Sequence, residues 1–268
     1  GKILVRRDME LTDANARLIA LDQNKSEFVS VAAHQLRSPL TGIRWTLNTL
    51  LDRDLGVLNQ EQTEVTEGGL QSTVRMIDLV NDLLNVAKIE EGRYGFTFRL
   101  IPLARLMDPL LQNLRHEAEE KGVTVSATIS PHIPPFMADE DKLTVALDNI
   151  FDNAVKYTPP GGTVTISVTR AAEGLEIKIA DTGIGIPEQE LHQVFNKFFR
   201  AENAMRFQTS GSGLGLYVVK NIIEGHGGAV SVASTEHRGT TVTVALPIAP
   251  QEHEYQQREP SLTDTHTV

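Results

Sequence analysis

The chain has 268 residues and no cysteine, and 40% of its residues are hydrophobic and 22% charged. This composition is typical of a globular protein of about one or two domains, and it excludes wholesale disorder, disulfides and zinc–thiolate sites. The 25 basic and 35 acidic residues leave a net charge of −10, which argues against a duplex nucleic-acid-binding module, and no window of about 18 apolar residues predicts a membrane span.

The first 24 residues predict a coiled-coil helix. Leucines recur every seven residues at Leu4, Leu11 and Leu18, which is the spacing of a coiled-coil seam. The chain begins at Gly1 with neither a methionine nor a signal-peptide pattern, and we therefore interpret it as a piece of a longer protein.

Residues 25–92 predict a helical hairpin. Its first helix continues from the N-terminus to about residue 52, the apolar pattern breaks at 53–59, and a second helix follows over 60–91. Two helices alone bury little apolar surface, so we expect the hairpin to pair with a second copy as a dimeric four-helix bundle. A structural coiled-coil spacer is the alternative.

His34 lies at an informative position in the first helix. It follows Ala33 on an apolar stripe that continues with Leu36, Leu40 and Ile43, so its side chain is predicted about 100° away, at the solvent edge. Arg37 and Ser38 flank the imidazole three and four residues later, and Pro39 is expected to kink the helix. Such a histidine is either a solvated surface residue or a nucleophile, and the second interpretation requires a reactive substrate.

Residues 93–249 mix helices with strands. We predict strands at 96–100, 123–129, 163–169, 175–179, 230–233 and 240–246, and helices at 103–121, 141–157 and 214–224. The order of these strands and helices, which includes two β-hairpins, indicates a two-layer α+β sandwich in which helices cover one face of a largely antiparallel sheet. Residues 250–268 are polar and aperiodic and predict a disordered tail.

Two glycine-rich segments, 181–187 and 211–216, are candidate phosphate-binding loops. Neither continues as the dinucleotide fingerprint, and the chain has no P-loop string. Glycines let backbone approach an anion closely, and the second segment runs into a helix, whose free N–H groups attract phosphate. An ordinary turn is the alternative for each segment taken alone.

The predicted helix 141–157 adds polar side chains to these loops. Asn149 and Asn153 are four residues apart and project from one face. An amide oxygen is a hard ligand that suits Mg²⁺, Lys156 can reach a phosphate, and Tyr157 offers an aromatic face to a base. Ordinary helix polarity with a lysine near the C-terminus is the alternative.

Taken in order, five segments resemble the motifs of the sensor histidine kinases of bacterial two-component systems. They are an H box at 34–39, an N box at 149–157, a first glycine box at 181–185, an F box at 195–200 and a second glycine box at 211–216. The resemblance covers about residues 25–247. Any one motif is weak evidence, whereas five in this order and spacing are specific.

The resemblance implies a coiled-coil signalling helix over 1–24, a dimerisation and phosphoacceptor hairpin over 25–92, and an ATP-binding domain of the Bergerat type over 93–249. It implies ATP with Mg²⁺ as cofactors and autophosphorylation of a histidine. The phosphoryl group then passes to an aspartate of a response regulator, with phosphatase action toward that regulator as a further activity. It also implies that the chain forms a homodimer in the cytoplasm and is a piece of a longer protein that is anchored in the inner membrane.

The resemblance also assigns roles to individual residues. His34 would be phosphorylated, Asn153 would hold Mg²⁺, Asn149 would line the phosphates, and Asp181 would accept a hydrogen bond from the adenine amino group. The adenine pocket would be shaped by Gly183 and Gly185, and the lid 188–212 would hinge at the second glycine box with Gly211, Gly213, Gly215 and Leu216. Arg200 would stabilise charge at the γ-phosphate.

The H box departs from the family pattern at two positions. Relatives usually have Glu or Asp after the histidine, whereas Gln35 cannot act as a general base. A positioned carboxylate is typically worth about 10²–10⁴-fold, so we expect slower or differently tuned autophosphorylation. Ser38 stands where many relatives have Thr or Asn, and its hydroxyl could orient water for phosphatase action.

Three other functions are alternatives to that of a histidine kinase. A hydrolysing ATPase of the same fold, such as DNA gyrase or an Hsp90 chaperone, places a water-activating Glu where this chain has Asn149. By helix geometry Asp152 should point about 100° away from Asn153, which leaves water attack without a base. A non-enzymatic scaffold would be expected to lose the motif residues, and a protein serine kinase would lack the hairpin that carries His34.

Overall fold

The computed structural model describes residues 31–52, 55–171, 174–209 and 211–248. The predicted coiled coil over 1–24 and the predicted tail over 250–268 lie outside these residues. Helix α1 covers residues 31–51 and continues through Pro39. Helix α2, Gln60–Glu90, follows the turn, so both helices of the predicted hairpin are present.

The hairpin is held by a small apolar core. Its buried members are Ala33, Leu40, Ile77, Val80 and Leu84. Helix α2 begins where it does because Asn59 caps it: the Asn59 side chain accepts from the Gln62 N–H at 2.8 Å, and the Gln62 side chain accepts from the Asn59 N–H at 2.9 Å.

Part of the predicted apolar stripe of α1 is uncovered within one chain. Leu36 and Ile43 belong to that stripe, yet they are 52% and 47% exposed. A face of this kind is what pairing with a second hairpin would bury.

In its described residues, the second domain contains seven strands and four further α-helices. The strands are β1 Arg99–Ile101, β2 Thr124–Ile129, β3 Phe136–Ala138, β4 Thr163–Ala171, β5 Gly174–Asp181, β6 Ala229–Thr235 and β7 Gly239–Pro247. The helices are α3 Leu103–Lys121, α4 Glu140–Lys156, α5 Glu202–Phe207 and α6 Gly215–Gly225, with a 3₁₀ helix at Glu188–Gln193.

Five strands form the main sheet in the order β2-β4-β5-β7-β6. Only the β2–β4 pair is parallel; the other neighbours are antiparallel, and the β4–β5 and β6–β7 hairpins are those the sequence predicts. Alternate residues of the central strands are buried, as Val164, Ile166 and Val168 are in β4, because they pack under α3, α4 and α6. The predicted two-layer α/β sandwich is confirmed.

The predicted strand at 96–100 is wrong in position. Extended pairing is confined to β1, whose Arg99–Ile101 pair with Phe136–Ala138 of β3. Phe96 and Phe98 alternate as in a strand, but their rings stack on each other and contact His226 edge-on. Among the described residues, no helix is both long and apolar enough to cross a membrane.

Candidate nucleotide-binding site

A cavity of about 1080 Å³ lies between α4, both glycine loops, the segment between them, and helix α2 of the hairpin. Of the predicted site residues, it is lined by Asn149, Asn153, Lys156, Tyr157, Asp181, Gly185, Arg200, Gly211, Gly213, Gly215 and Leu216. Gly183 and the H-box residues are not among the lining residues, although the Gly183 N–H donates to Asp181 Oδ1.

Helix α4 presents the two predicted amides on the cavity side. Asn149 and Asn153 are half-buried rather than buried. The Asn149 Nδ2 donates to the Val145 carbonyl at 2.9 Å, which leaves its Oδ1 as an acceptor beside the second glycine loop. Within the described part of the chain, no hydrogen bond holds the Asn153 amide. Two amide oxygens are therefore available to a ligand or ion.

Asp181 sits at the end of β5 with one carboxylate oxygen engaged. Its Oδ1 accepts from the backbone N–H groups of Gly183 at 2.8 Å and Thr240 at 3.1 Å. Among the described residues, its Oδ2 has no such partner and remains an acceptor. Burial raises the pKa of Asp181, and the two backbone N–H groups oppose that rise.

Lys156 is the last residue of α4 and Tyr157 caps the helix, and both side chains line the cavity. The Lys156 ammonium lies 5.6 Å from the centroid of the Tyr157 ring. Burial lowers the pKa of Lys156, although Asp152 opposes the shift. Burial raises the pKa of Tyr157, and the Arg200 charge opposes that rise. A cation and an aromatic face thus stand side by side, as the sequence predicts.

The second glycine loop approaches two other segments too closely for side chains. Gly213 has a φ of +68°, and a Cβ there would lie 2.7 Å from backbone atoms of Phe198 and Phe199. Gly215 begins α6, and a Cβ there would lie 2.5 Å from the Asn149 Oδ1. The loop and the N box are therefore in direct contact.

Arg200 is engaged differently from the expected contact with a γ-phosphate. Its Nη1 donates to the carbonyls of Thr209 at 3.0 Å and Gly211 at 3.4 Å, and its Nη2 donates to the Gln208 carbonyl. Its Nε is buried and, among the described residues, unpartnered. In this structure the guanidinium holds the end of the predicted lid, because it donates to three backbone carbonyls there. These carbonyls occupy donors that would otherwise be available to phosphate oxygens.

The predicted H box lies on the exposed side of α1. His34, Gln35 and Ser38 are exposed, as helix geometry predicts, and none of them lines the cavity. Arg37 ties this turn to the other helix, because its Nη2 donates to Asn81 Oδ1 at 2.7 Å. Asn81 lines the cavity. The structure thus brings together the predicted nucleotide-binding residues but does not bring them to His34.

Sequence reasoning missed an acidic wall around the cavity. It consists of Asp78 and Asp82 from α2 and Asp148 and Asp152 from α4. Partial desolvation in the cavity raises the pKa of all four carboxyls, and for Asp78, Asp82 and Asp148 the neighbouring carboxylates add to the rise. Each sequence segment is compatible with a solvated helix face, so only the approach of α2 to α4 reveals the cluster.

The turn of about 100° between Asp152 and Asn153, which the sequence predicts, does not take Asp152 out of the site. Asp152 lines the same cavity as Asn153. One residue of helix turns a side chain by about 100°, but the cavity is wide enough to include both directions. Lys156 and Lys121 lie close enough to Asp152 to oppose the rise in its pKa.

The architecture and site define an ATP-binding domain of the Bergerat type joined to a helical hairpin. Residues 138–250 match the family described as the histidine kinase-, DNA gyrase B- and HSP90-like ATPase. Residues 24–92 match the His Kinase A phospho-acceptor domain. The chain therefore belongs to the sensor histidine kinases of two-component systems and comprises their catalytic core.

Individual relatives agree with this assignment. The chain is 36% identical to the circadian input-output histidine kinase CikA of Synechococcus elongatus, over 91% of this chain and 33% of that protein. It is 36% identical to the sensor histidine kinase WalK of Bacillus subtilis, over 85% of this chain and 37% of that protein. The crystal structure of full-length ShkA with AMPPNP aligns with a TM-score of 0.66 at 26% identity, over 84% of this chain and 47% of that one.

The chain thus spans only about a third of the length of these two curated relatives.

Proposed function

We propose that this chain transfers the γ-phosphoryl group of ATP to His34 and then to an aspartate of a response regulator. One observation carries the proposal: Asn149, Asn153 and Asp181 converge with the second glycine loop on one cavity, while an exposed helical histidine lies on the attached hairpin. Water attack is the competing outcome, because Asp152 also lines the cavity.

ATP fits the chemistry of the lining. The free Oδ2 of Asp181 would accept from the adenine amino group, and Tyr157 and Ile186 would contact the base. Lys156 and the N–H groups at the start of α6 would bind phosphate. These contacts give base selection at one end of the cavity and charge neutralisation at the other.

Mg²⁺ fits the donor set as a phosphate-bridging ion. Among the described residues no group of three His, Asp or Glu side chains could hold a metal, and the free Asn153 amide offers one hard oxygen ligand. Mg²⁺ commonly takes one or two protein oxygens and completes its shell with phosphate oxygens and water. Bound there, it would neutralise charge on the transferred group. Asn153 would hold it, with Asn149 beside the phosphates.

His34 would be the nucleophile. An imidazole nitrogen attacks the γ-phosphorus, the bond to the ADP oxygen breaks, and the ring loses its proton to solvent because Gln35 cannot accept it. His34 lies outside the cavity of its own chain. Transfer therefore requires the ATP-binding domain to move relative to α1 or the partner chain of a homodimer to present its own His34.

The proposal also assigns a role to each segment of the chain and names its binding partners. Residues 25–92 would dimerise, bear the phosphoacceptor and receive the response regulator, and Ser38 would orient water for dephosphorylation of that regulator. Residues 93–249 would bind ATP, and residues 1–24 would bring the signal. ATP as the phosphoryl donor suits work in the cytoplasm.

Labelling with γ-³²P-ATP tests the proposal. We expect acid-labile, alkali-stable label on the native chain and none on His34→Ala, while both bind ATP equally. Asn153→Ala should lose both binding and label. Equal labelling of His34→Ala would refute autophosphorylation at His34. Release of phosphate with no protein-bound label would refute it as well and would favour a hydrolysing ATPase.

A further inference from the structure

Helix α2 contacts the second glycine loop through one hydrogen bond. The Ser212 Oγ donates to Asp82 Oδ2 at 2.8 Å and accepts from the Leu214 N–H at 3.2 Å. Ser212 is the middle residue of the Gly211–Gly213 segment, and Leu214 directly precedes α6. The single donor of this hydroxyl is therefore taken by α2, and one of its acceptor positions is taken at the start of the helix that would receive the phosphates.

A second tie holds the same two domains together. The Lys197 ammonium pairs with the Glu90 carboxylate at the end of α2 and lies 5.3 Å from the centroid of the Tyr217 ring on α6. Helices α2 and α6 also pack against each other. The ATP-binding domain is thus docked on α2, while His34 lies on α1 outside the cavity.

The charges at this contact oppose a nucleotide. Asp82 lines the cavity with Asp78 and Asp152, and burial together with these neighbours raises its pKa, although Ser212 and Lys156 oppose the rise. A triphosphate would bring further negative charge to the loop that Asp82 holds. Phosphate oxygens and the Asp82 carboxylate would then compete for the Ser212 hydroxyl and for Lys156.

We propose that Asp82 and Ser212 form an autoinhibitory latch, in which α2 competes with the phosphates of ATP for the second glycine loop and holds the nucleotide-free domain away from His34. The proposal rests on the nucleotide site proposed above. Nucleotide binding opens the latch, and opening frees the domain to reach a histidine. Conversely, a closed latch lowers the apparent affinity for ATP by the fraction of molecules that are open.

The affinity of AMPPNP with Mg²⁺, measured by calorimetry, tests the latch. We expect Asp82→Ala to bind about 3- to 10-fold more tightly than the native chain, which corresponds to a latch closed in roughly 70–90% of free molecules. Asp78→Ala is the matched control, because Asp78 is an acidic cavity residue one turn away on α2 and, among the described residues, makes no hydrogen bond to the loop. It should tighten binding less.

A double-mutant cycle separates the hydrogen bond from general charge. In a Ser212→Ala background, Asp82→Ala should tighten binding no more than Asp78→Ala does, because the latch is already absent. Equal effects of the two Asp→Ala changes in the native background would overturn the latch. The latch would also be overturned by an Asp82→Ala variant that folds, binds AMPPNP like the native chain and is labelled on His34. That outcome would leave the proposed function intact.

A structural readout is independent of affinity. The chain has no cysteine, so Asp82→Cys with Ser212→Cys introduces a unique thiol pair. A short bifunctional thiol reagent should cross-link this pair in the free protein and several-fold more slowly with AMPPNP and Mg²⁺. A rate that nucleotide leaves unchanged, or no cross-link at all, would refute the latch. Absence of nucleotide binding in every variant would refute the latch and the nucleotide site together.

Discussion

Gly215 and Asn149 lie so close that a Cβ at position 215 would be 2.5 Å from the Asn149 Oδ1. The contact joins the start of α6 to the middle of α4, the two helices that carry the second glycine box and the N box. It makes the glycine a requirement of the site, because either α6 or the Asn149 side chain must move to admit a methyl group.

Gly215→Ala should therefore weaken ATP binding by roughly tenfold or more, since overpacking of this kind costs about 1–3 kcal/mol. Calorimetry measures the affinity, and circular dichroism checks the fold. Gly68→Ala is the matched control, because Gly68 lies in α2, a methyl group added there would have no neighbour within 4 Å, and alanine favours a helix. Equal ATP affinity in both variants would contradict the proposed role of the contact.

Asp181→Asn should weaken ATP binding by about 5- to 150-fold, which corresponds to about 1–3 kcal/mol for a lost buried hydrogen bond. The Asn carbonyl oxygen can still accept from Gly183 and Thr240, as Oδ1 does now. The new amide group replaces the free acceptor and would meet the adenine amino group donor to donor. Titration with ATP measures the loss, and an unchanged melting temperature shows that the loop is intact. Unchanged affinity would contradict adenine recognition by Asp181.

Much of the fold is predictable because its signals are local. Helix α3 has the bounds that the sequence predicts, Leu103–Lys121, since its apolar residues repeat at helical spacing. Helix α5 was missed because its six residues are too few to show a period. The strand predicted at 96–100 is wrong because the two phenylalanines pack on His226, which lies far along the chain and has no local signal.

The candidate site divides in the same way. The N box and the glycine boxes are contiguous segments, so their residue types and order could be read directly. The contact of Asp82 with Ser212 joins residues 130 positions apart, and each of them alone is compatible with ordinary solvated surface. The carbonyls that hold Arg200 belong to backbone, which no side-chain pattern reports.

His226 should make stability fall as the pH is lowered from about 7.5 to 5.5. Its Nε2 accepts from the Asp139 N–H at 3.0 Å and its Nδ1–H donates to the Ile222 carbonyl at 2.7 Å, which is the neutral ring. Burial lowers the pKa of His226 from 6.5, although the hydrogen bonds and Asp139 oppose the shift. The unfolded chain therefore takes up this proton at a higher pH than the folded chain, and stability is lost as the pH falls below the unfolded value.

Urea unfolding at several pH values measures this effect. His226→Gln should be less stable than the native chain at neutral pH but should lose less stability on acidification, by on the order of 1.4 kcal/mol for each unit by which the pKa is lowered. His192→Gln is the control, because His192 is exposed, and it should keep the native slope. A His226→Gln variant with the native pH dependence would contradict the assignment.

Arg200→Lys should loosen the end of the lid in the nucleotide-free protein. The planar guanidinium spans the carbonyls of Gln208, Thr209 and Gly211, whereas an ammonium keeps the charge but cannot reach all three. Loss of one hydrogen bond, worth about 1 kcal/mol, should make local opening about fivefold more frequent. Chymotrypsin cleavage after the exposed Phe207, identified by mass spectrometry, should accelerate to that extent without nucleotide.

The same variant distinguishes a role of Arg200 in holding the lid from a role that is confined to binding phosphate. Arg206→Lys is the matched control within the lid, because Arg206 pairs with the Glu202 side chain on its own helix and should leave cleavage unchanged. Saturating AMPPNP should slow cleavage of the native chain less than it slows Arg200→Lys, since nucleotide supplies contacts that the variant lacks. If Arg200 acts only at the γ-phosphate, Arg200→Lys will be cleaved at the native rate without nucleotide, and lid fastening is refuted.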